Sequence, residues 1–420
     1  MVHTHRRTNG EFLPKTASTI NNRGIYYGYR IVAACYIIQA VNLGGVFTFG
    51  LLFPELEREF GWSRTTISGA SSFAFFIMGV CSILMGQAGD RFGPRALLTA
   101  AGILFGLGYA LLFQMKAAWE LYLYYGLMVG VALAAHDVIT LSTVTRWFLS
   151  RRGLMTGIVK AGAGCGQVIM PLIAAALIAG LGWRSTCFIF GIAAAIVLVA
   201  AAQVQRRNPA SLGLKALGET LDTRSNLAQQ EGGTSLKEAV KSRTLWALCI
   251  AKFCDLFCLF TIVVHIVPFS ADHGMGPPAA AGILSTIGAM SIAGRIALGS
   301  AYDRFGARQS LIICFIILAA SLVLLQFSNS IWSLFIFAAI YGPAHGGFFT
   351  ITSPSVAEYY GTRAHGTLFG LVISFGTFGA TLGPIVAGSL FDGAGNYNAA
   401  FALLLGISLL GLFVASTLPR

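Results

Sequence analysis

The sequence predicts an all-α membrane protein with twelve transmembrane helices arranged as two pseudo-symmetric six-helix bundles. Its composition is apolar: the 420 residues are 56% hydrophobic and 10% charged, with a mean hydropathy of +0.74. Soluble domains carry about 25% charged residues. Apolar runs of about 20 residues recur along the chain, which is the length that crosses a bilayer as a helix. The strict alternation of a transmembrane β-barrel is absent, and an internal repeat relates the two halves.

The spans divide the chain into four regions. Residues 1–28 form a polar, cytoplasmic N-terminal tail without the apolar core of a signal peptide. Residues 29–203 form the first bundle, 204–242 a cytoplasmic linker and 243–420 the second bundle. The linker is long and polar, and we expect a short amphipathic helix around "SLKEAVKS" within it. The predicted spans are 29–53, 64–86, 95–115, 118–145, 152–180, 183–203, 243–269, 277–301, 308–328, 331–358, 364–391 and 397–418.

Lysine and arginine are concentrated on one side of the predicted membrane. The tail, the loops after even-numbered spans, the linker and the C-terminus hold 21 of the 28. The opposite loops hold four, namely Arg58, Arg64, Lys116 and Arg184. Because these residues resist translocation, the rich side is cytoplasmic and both termini lie there. The net charge of +12 therefore has a topological cause. We expect a multi-pass protein of the cell (inner) membrane, surrounded by lipid, with no nucleic acid and no inferred protein partner.

The two halves match at a constant offset of 213 residues. "GQAGDRFGPRALL" begins at residue 86 and "GSAYDRFGARQSL" at residue 299. At the same offset, Gly157, Gly166 and Pro171 of span five correspond to Gly370, Gly379 and Pro384 of span eleven. A duplication of six helices is typical of a transporter whose site lies between two bundles.

Both repeats contain the pattern Gly-x-x-x-Asp-Arg-x-Gly-x-Arg. It resembles the signature of the major facilitator superfamily, which implies that fold. Physically, the first glycine allows close approach of a neighbouring helix. The aspartate at a helix end can pair with an arginine and meet a helix N-terminus. We predict that the two copies form a conformational latch on the cytoplasmic side, comprising Gly86, Asp90, Arg91, Arg95, Gly299, Asp303, Arg304 and Arg308.

A second resemblance narrows the family. "WFLSRRGLMTGIVKAGAGCG" (147–166) resembles the span-five signature of the monocarboxylate porters. "LLFPELEREFGWSRTTIS" (51–68) is similar to the first external loop of bacterial members and of the related oxalate/formate antiporters. This implies a secondary transporter, not an enzyme, that moves a small monocarboxylate such as L-lactate or pyruvate with a proton by alternating access. The alternatives are an oxalate/formate-type exchanger of dicarboxylates and a non-transporting sensor of the same fold.

Arg295 is a charged residue inside an otherwise apolar span eight. A bare charge at mid-bilayer costs at least about 2.5–3.5 kcal/mol, so it is a functional candidate by default, although its side chain could also snorkel to the interface. Arginine offers a planar fork that fits a carboxylate. The resemblance implies that Arg295 is the substrate anchor. The chain departs from many animal members of the family, because Ser291 stands one turn earlier, where they carry an aspartate.

Two intramembrane acids are candidates for proton coupling. Asp255 is the leading one, either as the partner of Arg295 or as a proton-responsive carboxyl. Its alternative is a structural pair with Lys252, three residues earlier on the same helix. Asp137 is the second candidate, and a role in gating or packing remains open for it.

Lys160 is a further candidate substrate ligand in span five. It either lines the cavity or pairs with Asp137. Span eleven lacks the second cation that oxalate antiporters use, and one clear anchor suits a monoanion better than a dianion. Asn42, Tyr341 and His345 lie mid-span and are possible hydrogen-bonding ligands of the substrate; the alternative for His345 is an internally satisfied histidine.

No cofactor or metal site is expected from the sequence. The eight cysteines all fall in apolar segments, which favours packing over a disulfide framework. No cluster of nucleophile, base and orienting residue with the pattern of an enzyme is visible. The partners that the resemblance implies are a small monocarboxylate and a proton, and the apolar spans imply the lipid bilayer.

Overall fold

The computed structural model describes residues 26–219, 234–272, 274–275, 277–328 and 330–419. Of the tail expected over residues 1–28, only the last three residues fall within these ranges. Residues 220–233 of the predicted linker also lie outside the described part of the chain.

The described chain is built from helices, and apolar sequence explains their length. Because a bilayer offers no hydrogen-bond partners, a spanning segment must satisfy its backbone groups internally, as a helix does. α1 continues through a 3₁₀ turn into α2, and α5 continues through π-helical turns over Tyr122–Val129 into α6. The helices are α1 Tyr27–Phe49, α2 Phe53–Phe60, α3 Arg64–Phe92, α4 Pro94–Leu111, α5 Ala118–Leu121, α6 Gly130–Trp147, α7 Arg152–Val204, α8 Leu236–Ala239, α9 Arg243–Asp272, α10 Pro277–Gln326, α11 Ile331–Tyr360, α12 His365–Ala394 and α13 Asn398–Ser416.

Ten helical segments in the described part of the chain are long and apolar enough to cross a membrane. This confirms a multi-pass helical protein, but the count differs from the twelve spans expected. The difference arises in α7 and α10, which have 53 and 50 residues. Each contains one glycine with non-helical backbone angles, Gly182 (φ 78°, ψ 161°) and Gly306 (φ 78°, ψ −179°). These breaks lie between predicted spans five and six, and eight and nine.

The 213-residue repeat extends to backbone geometry. Three pairs of glycines at this offset share the left-handed φ that glycine tolerates best. Their φ values are 65° and 74° at Gly61 and Gly274, 82° and 78° at Gly93 and Gly306, and 78° and 68° at Gly182 and Gly395. Equivalent turns therefore occur at equivalent points in the two halves.

The two halves meet along two helix pairs, α3 with α12 and α7 with α10. Glycines allow these approaches: a Cβ on Gly86 would collide with the backbone of Gly366, and one on Gly157 with the carbonyl of Arg295. Because small residues let helix backbones approach closely, they favour this kind of interface within a membrane.

The first part of the linker packs against the turn before α7. The amides of Leu149 and Ser150 donate to the carbonyl of Leu217, at 3.0 and 2.9 Å, and the Leu217 amide donates to the Trp147 carbonyl at 3.0 Å. The expected amphipathic helix is present as the single turn α8, which the Glu238 carboxylate caps through the Ser235 amide at 2.9 Å.

Candidate substrate site between the two halves

Three cations surround the ring of Phe349, near the middle of α11. The ring centroid lies 5.0 Å from Nζ of Lys252, 5.7 Å from Nζ of Lys160 and 5.8 Å from Cζ of Arg295. These distances fall within the range of cation–π interactions. The cations come from three different helices, α9, α7 and α10, so the fold assembles this cluster from both halves of the chain.

Lys160 forms an ion pair with Asp137 of α6. Both are nearly buried, with exposures of 6% and 7%. Gln39 of α1 contacts both: its Nε2 donates to Asp137 Oδ1 at 3.2 Å, and its Oε1 accepts from Lys160 Nζ at 3.4 Å. The lysine charge is therefore compensated within the N-terminal half.

Lys252 forms an ion pair with Asp255 across one turn of α9, at 2.6 Å between Nζ and Oδ2. Oδ1 of Asp255 is buried and has no hydrogen-bond partner among the described residues. Asp255 lines a cavity of about 10 Å³, roughly one water in size, whose polar lining also includes Thr352 and Ser355. Of the alternatives for Asp255, the structure has the pair with Lys252 and not a pair with Arg295.

Arg295 is 2% exposed and has no carboxylate partner among the described residues. One terminal nitrogen donates to the carbonyl of Lys160 at 2.8 Å, and Nε has no partner within the part of the chain that the structure describes. Snorkelling is not how this side chain is accommodated, since it is buried between α7 and α10. The cluster therefore contains two neutralised lysines and one arginine whose charge is uncompensated.

The other predicted ligands make contacts within the protein. Nδ1 of His345 lies 2.9 Å from the Ser291 hydroxyl, and its ring is 5.4 Å from that of Phe349. The Tyr341 hydroxyl donates to the Leu259 carbonyl at 3.0 Å. Asn42 Oδ1 lies 3.3 Å from Nδ1 of His136. His345 thus belongs to the cluster around Phe349, whereas the polar groups of Tyr341 and Asn42 bond to other parts of the protein.

Sequence reasoning missed Phe349 and Gln39. An aromatic residue in an apolar span carries no signal of its own. The repeat does carry one for Gln39, because at the 213-residue offset it corresponds to Lys252, and Asn42 corresponds to Asp255. The polar pair of span seven thus has a polar counterpart in span one.

The latch aspartates contact helix N-termini of the opposite half. Asp303 accepts hydrogen bonds from the amides of Gly153 (2.6 Å) and Leu154 (2.8 Å) at the start of α7. Asp90 accepts from the amides of Gly366 (3.2 Å) and Thr367 (3.1 Å) at the start of α12, and forms an ion pair with Arg146. We call the end of the bundle that contains these two aspartates the latch end.

The arginines of the predicted latch do not pair with its aspartates. Cζ of Arg91 lies 5.2 Å from the ring of Phe92, and that of Arg304 lies 5.4 Å from Phe305. Arg95 donates to Gln203 at 2.8 Å and Arg308 to the Ser416 carbonyl at 2.7 Å. Among the described residues, the expectation that each aspartate pairs with an arginine is met for Asp90, through Arg146, whereas Asp303 bonds to backbone amides.

On the side of the cluster away from the latch end, the halves still touch at the rings of Phe75 (α3) and Phe260 (α9), whose centroids lie 5.9 Å apart, whereas α7 becomes exposed. Gly157 and Gly164 of α7 are buried against α10. One and two turns further along α7, Val168 and Leu172 are 53% and 67% exposed. On α10, a Cβ placed on Gly288 would have no neighbour within 4 Å. Along α7 and α10, the closed contact of the latch end therefore extends to the level of the cluster.

Within the described residues, no group of three His, Cys, Asp or Glu side chains could hold a metal ion. The residues present give the cluster an electrostatic character: it consists of a buried guanidinium, two compensated lysines and an aromatic ring, located where the two halves meet.

Comparisons with known proteins agree with this architecture. The model of the Major Facilitator Superfamily matches residues 35–300 and 277–420. The chain is 27% identical over 410 residues to Monocarboxylate transporter 13 of Rattus norvegicus, covering 94% of this chain and 89% of that protein. It is 26% identical to Monocarboxylate transporter 11 of Homo sapiens, covering 97% and 87%.

Among solved structures, the fold is similar to that of the proton:xylose symporter XylE bound to 6-bromo-6-deoxy-D-glucose. The TM-score is 0.75 at 13% identity, covering 94% of this chain and 96% of that one. With a family model that matches most of its length, this chain belongs to the Major Facilitator Superfamily, whose members are membrane transporters and not enzymes.

Proposed function

We propose that this protein moves a small monocarboxylate, such as L-lactate or pyruvate, together with a proton, by alternating access. The single observation that carries the proposal is Arg295, a buried guanidinium without a carboxylate partner among the described residues. A buried unpaired charge is strongly unfavourable, so a site that keeps one is suited to a ligand of opposite charge.

The charge of the cluster favours a monoanion. Three cations and two carboxylates leave one net positive charge, which one carboxylate compensates. A guanidinium binds a carboxylate through two parallel hydrogen bonds, and this fixes the orientation of the ligand. The ring of Phe349 and the side chain of His345 would contact the remainder of a small acid.

Asp255 is the proposed proton carrier. Among the described residues, its Oδ1 has no hydrogen-bond donor, so a proton would add there without displacing a bond seen in the structure. A proton there would neutralise the carboxylate, weaken its ion pair with Lys252 and raise the net charge of the cluster from one to two, which strengthens binding of an anion. Proton and anion then move together, and the transported pair is electrically neutral.

We propose twelve membrane crossings, with Gly182 and Gly306 as turns. At 1.5 Å per residue, unbroken helices of 53 and 50 residues would be about 80 and 75 Å long. The hydrocarbon core is about 30 Å thick. With twelve crossings in the cell membrane, the latch end and both termini are cytoplasmic, as the distribution of lysine and arginine favours.

The relatives support the substrate class. Both are named monocarboxylate transporters and align over nearly the whole chain. In the described part of α12, no lysine or arginine offers the second free cation that a dicarboxylate exchanger would need.

Counterflow in proteoliposomes tests this function. Vesicles loaded with L-lactate should take up external radiolabelled L-lactate, and external pyruvate should inhibit the uptake. Lactamide, a neutral isostere of lactate, should not inhibit it, because it cannot compensate the Arg295 charge. Stronger inhibition by oxalate than by pyruvate would indicate the dicarboxylate exchanger. Lactate binding without counterflow would indicate a sensor.

A further inference from the structure

We propose that Asp137 sets the charge of the anion that the site accepts, by keeping Lys160 compensated. The inference rests on the proposed function and assigns this acid a role in specificity. Its basis is the different environments of the two carboxylates near Phe349.

The Asp137 carboxylate is fully engaged at one oxygen. Oδ1 accepts from both Lys160 Nζ and Gln39 Nε2, and Gln39 also accepts from the lysine. This three-residue arrangement joins α1, α6 and α7 within the N-terminal half. Asp255, in contrast, accepts from Lys252 alone among the described residues. The two carboxylates therefore differ in their partners: Asp137 holds side chains from two other helices, whereas Asp255 holds one lysine of its own helix.

Because of the position of Lys160, its ion pair with Asp137 affects which anions the site accepts. Its Nζ and the Arg295 guanidinium lie at similar distances from the Phe349 ring, 5.7 and 5.8 Å, and Arg295 donates to the Lys160 carbonyl at 2.8 Å. An uncompensated Lys160 would be a second cation within reach of the same ligand. Removing one member of a buried ion pair leaves an uncompensated buried charge, which is strongly destabilising. A ligand of opposite charge would compensate it.

Apart from the proton-coupling pair Lys252 and Asp255, the cluster carries one net positive charge while Asp137 is ionised, and this part of it is matched to a single carboxylate. With Asp137 neutralised, it carries two, and a dicarboxylate fits: one group on Arg295, the other on Lys160. Asp137 thus excludes dianions without contacting the substrate, and is a positioning residue that acts through Lys160.

The test compares affinities for L-lactate and malonate at neutral pH, where malonate is a dianion. Both are measured by displacement of radiolabelled lactate from purified wild-type protein, Asp137→Asn and the double variant Asp137→Asn/Lys160→Met. We expect the malonate-to-lactate affinity ratio to rise at least tenfold in Asp137→Asn. In the double variant the ratio should return to the wild-type value, because the extra cation is gone.

Other results of this experiment would contradict either the role of Asp137 or the proposed function. An unchanged malonate-to-lactate affinity ratio in folded Asp137→Asn would overturn the inference. If this variant also lost uptake driven by a pH gradient, Asp137 would be identified as a proton carrier. If the single variant does not fold, the double variant avoids the unpaired charge, and a raised ratio there contradicts the inference. If wild-type protein binds no monocarboxylate, it is the proposed function that fails.

Discussion

Asp90 and Asp303 make reciprocal contacts across the two halves of the protein. Asp90 accepts hydrogen bonds from the amides of residues 366 and 367, and Asp303 accepts from those of residues 153 and 154. The two aspartates are 213 residues apart, and so are the two pairs of amide donors. The contact is therefore duplicated by the internal repeat. A carboxylate at a helix N-terminus is stabilising by about 0.3–1 kcal/mol, and up to about 2 kcal/mol when partly buried.

Removing either carboxylate should open the latch end. We expect Asp90→Asn and Asp303→Asn to shift the conformational equilibrium by about 1–3 kcal/mol, the range for lost charge-assisted hydrogen bonds. The effect should be larger for Asp90, which also pairs with Arg146. Labelling of single cysteines placed on the two faces of the membrane measures this: accessibility should rise at the latch end and fall at the opposite end. Unchanged labelling, with transport intact, would mean that the motif only shapes the turns.

Gly157 should be needed for the closed contact between the halves. A Cβ there would collide with the Arg295 carbonyl, so Gly157→Val should disfavour the state in which α7 and α10 touch, by about 1–3 kcal/mol, as for overpacked cores. The same cysteine labels report the shift. Gly180→Val is the matched control on the same helix, because a Cβ there meets no atom within 4 Å. Equal effects of the two variants would contradict a specific role for close approach.

Lactate affinity should depend on the shape of the Arg295 guanidinium as well as on its charge. Arg295→Lys keeps a cation but loses the two-pronged hydrogen bond, so lactate affinity should fall by one to two orders of magnitude, at about 1.4 kcal/mol per decade. Arg295→Ala should abolish binding while the protein still folds. Equilibrium binding of L-lactate to purified protein measures both, and wild-type affinity in the alanine variant would exclude Arg295 as the anchor.

Asp255 should couple the proton to the anion. Asp255→Asn cannot take up a proton, so it should retain exchange of lactate for lactate but lose uptake driven by a pH gradient. Comparing counterflow with gradient-driven uptake in the same vesicles separates the two activities. Acid-stimulated uptake that survives in this variant would place the proton site elsewhere, with Asp137 or His345 as the next residues to replace.

The sequence was most informative where a contact is local or where the repeat duplicates it. The pair of Lys252 and Asp255 spans one helical turn, so spacing alone made it a candidate. The latch motifs were visible because they occur twice. In contrast, the acceptor role of Asp303 toward the amides of residues 153 and 154 depends on two helices that are distant in sequence, and backbone amides carry no residue signature.

The cluster around Phe349 was only partly predictable. Its charged members were conspicuous in apolar spans, but whether Lys160 lines the cavity or pairs with Asp137 depends on how α6 and α7 pack. Hydropathy sets the length of a helix and does not set its rotation against a neighbour. For the same reason, no pattern in α11 distinguished Phe349 from the aromatic residues that face lipid or core.

Gradient-driven uptake tests the central claim most directly. Wild-type protein and Arg295→Ala would be reconstituted in parallel, and uptake of radiolabelled L-lactate measured with the external medium more acidic than the lumen. Wild-type vesicles should accumulate lactate above its external concentration, and a protonophore should abolish the accumulation, while Arg295→Ala vesicles should take up no more than protein-free ones. Failure of wild-type vesicles to concentrate lactate, or equal accumulation by Arg295→Ala, would contradict proton-coupled transport of a monocarboxylate anchored by this arginine.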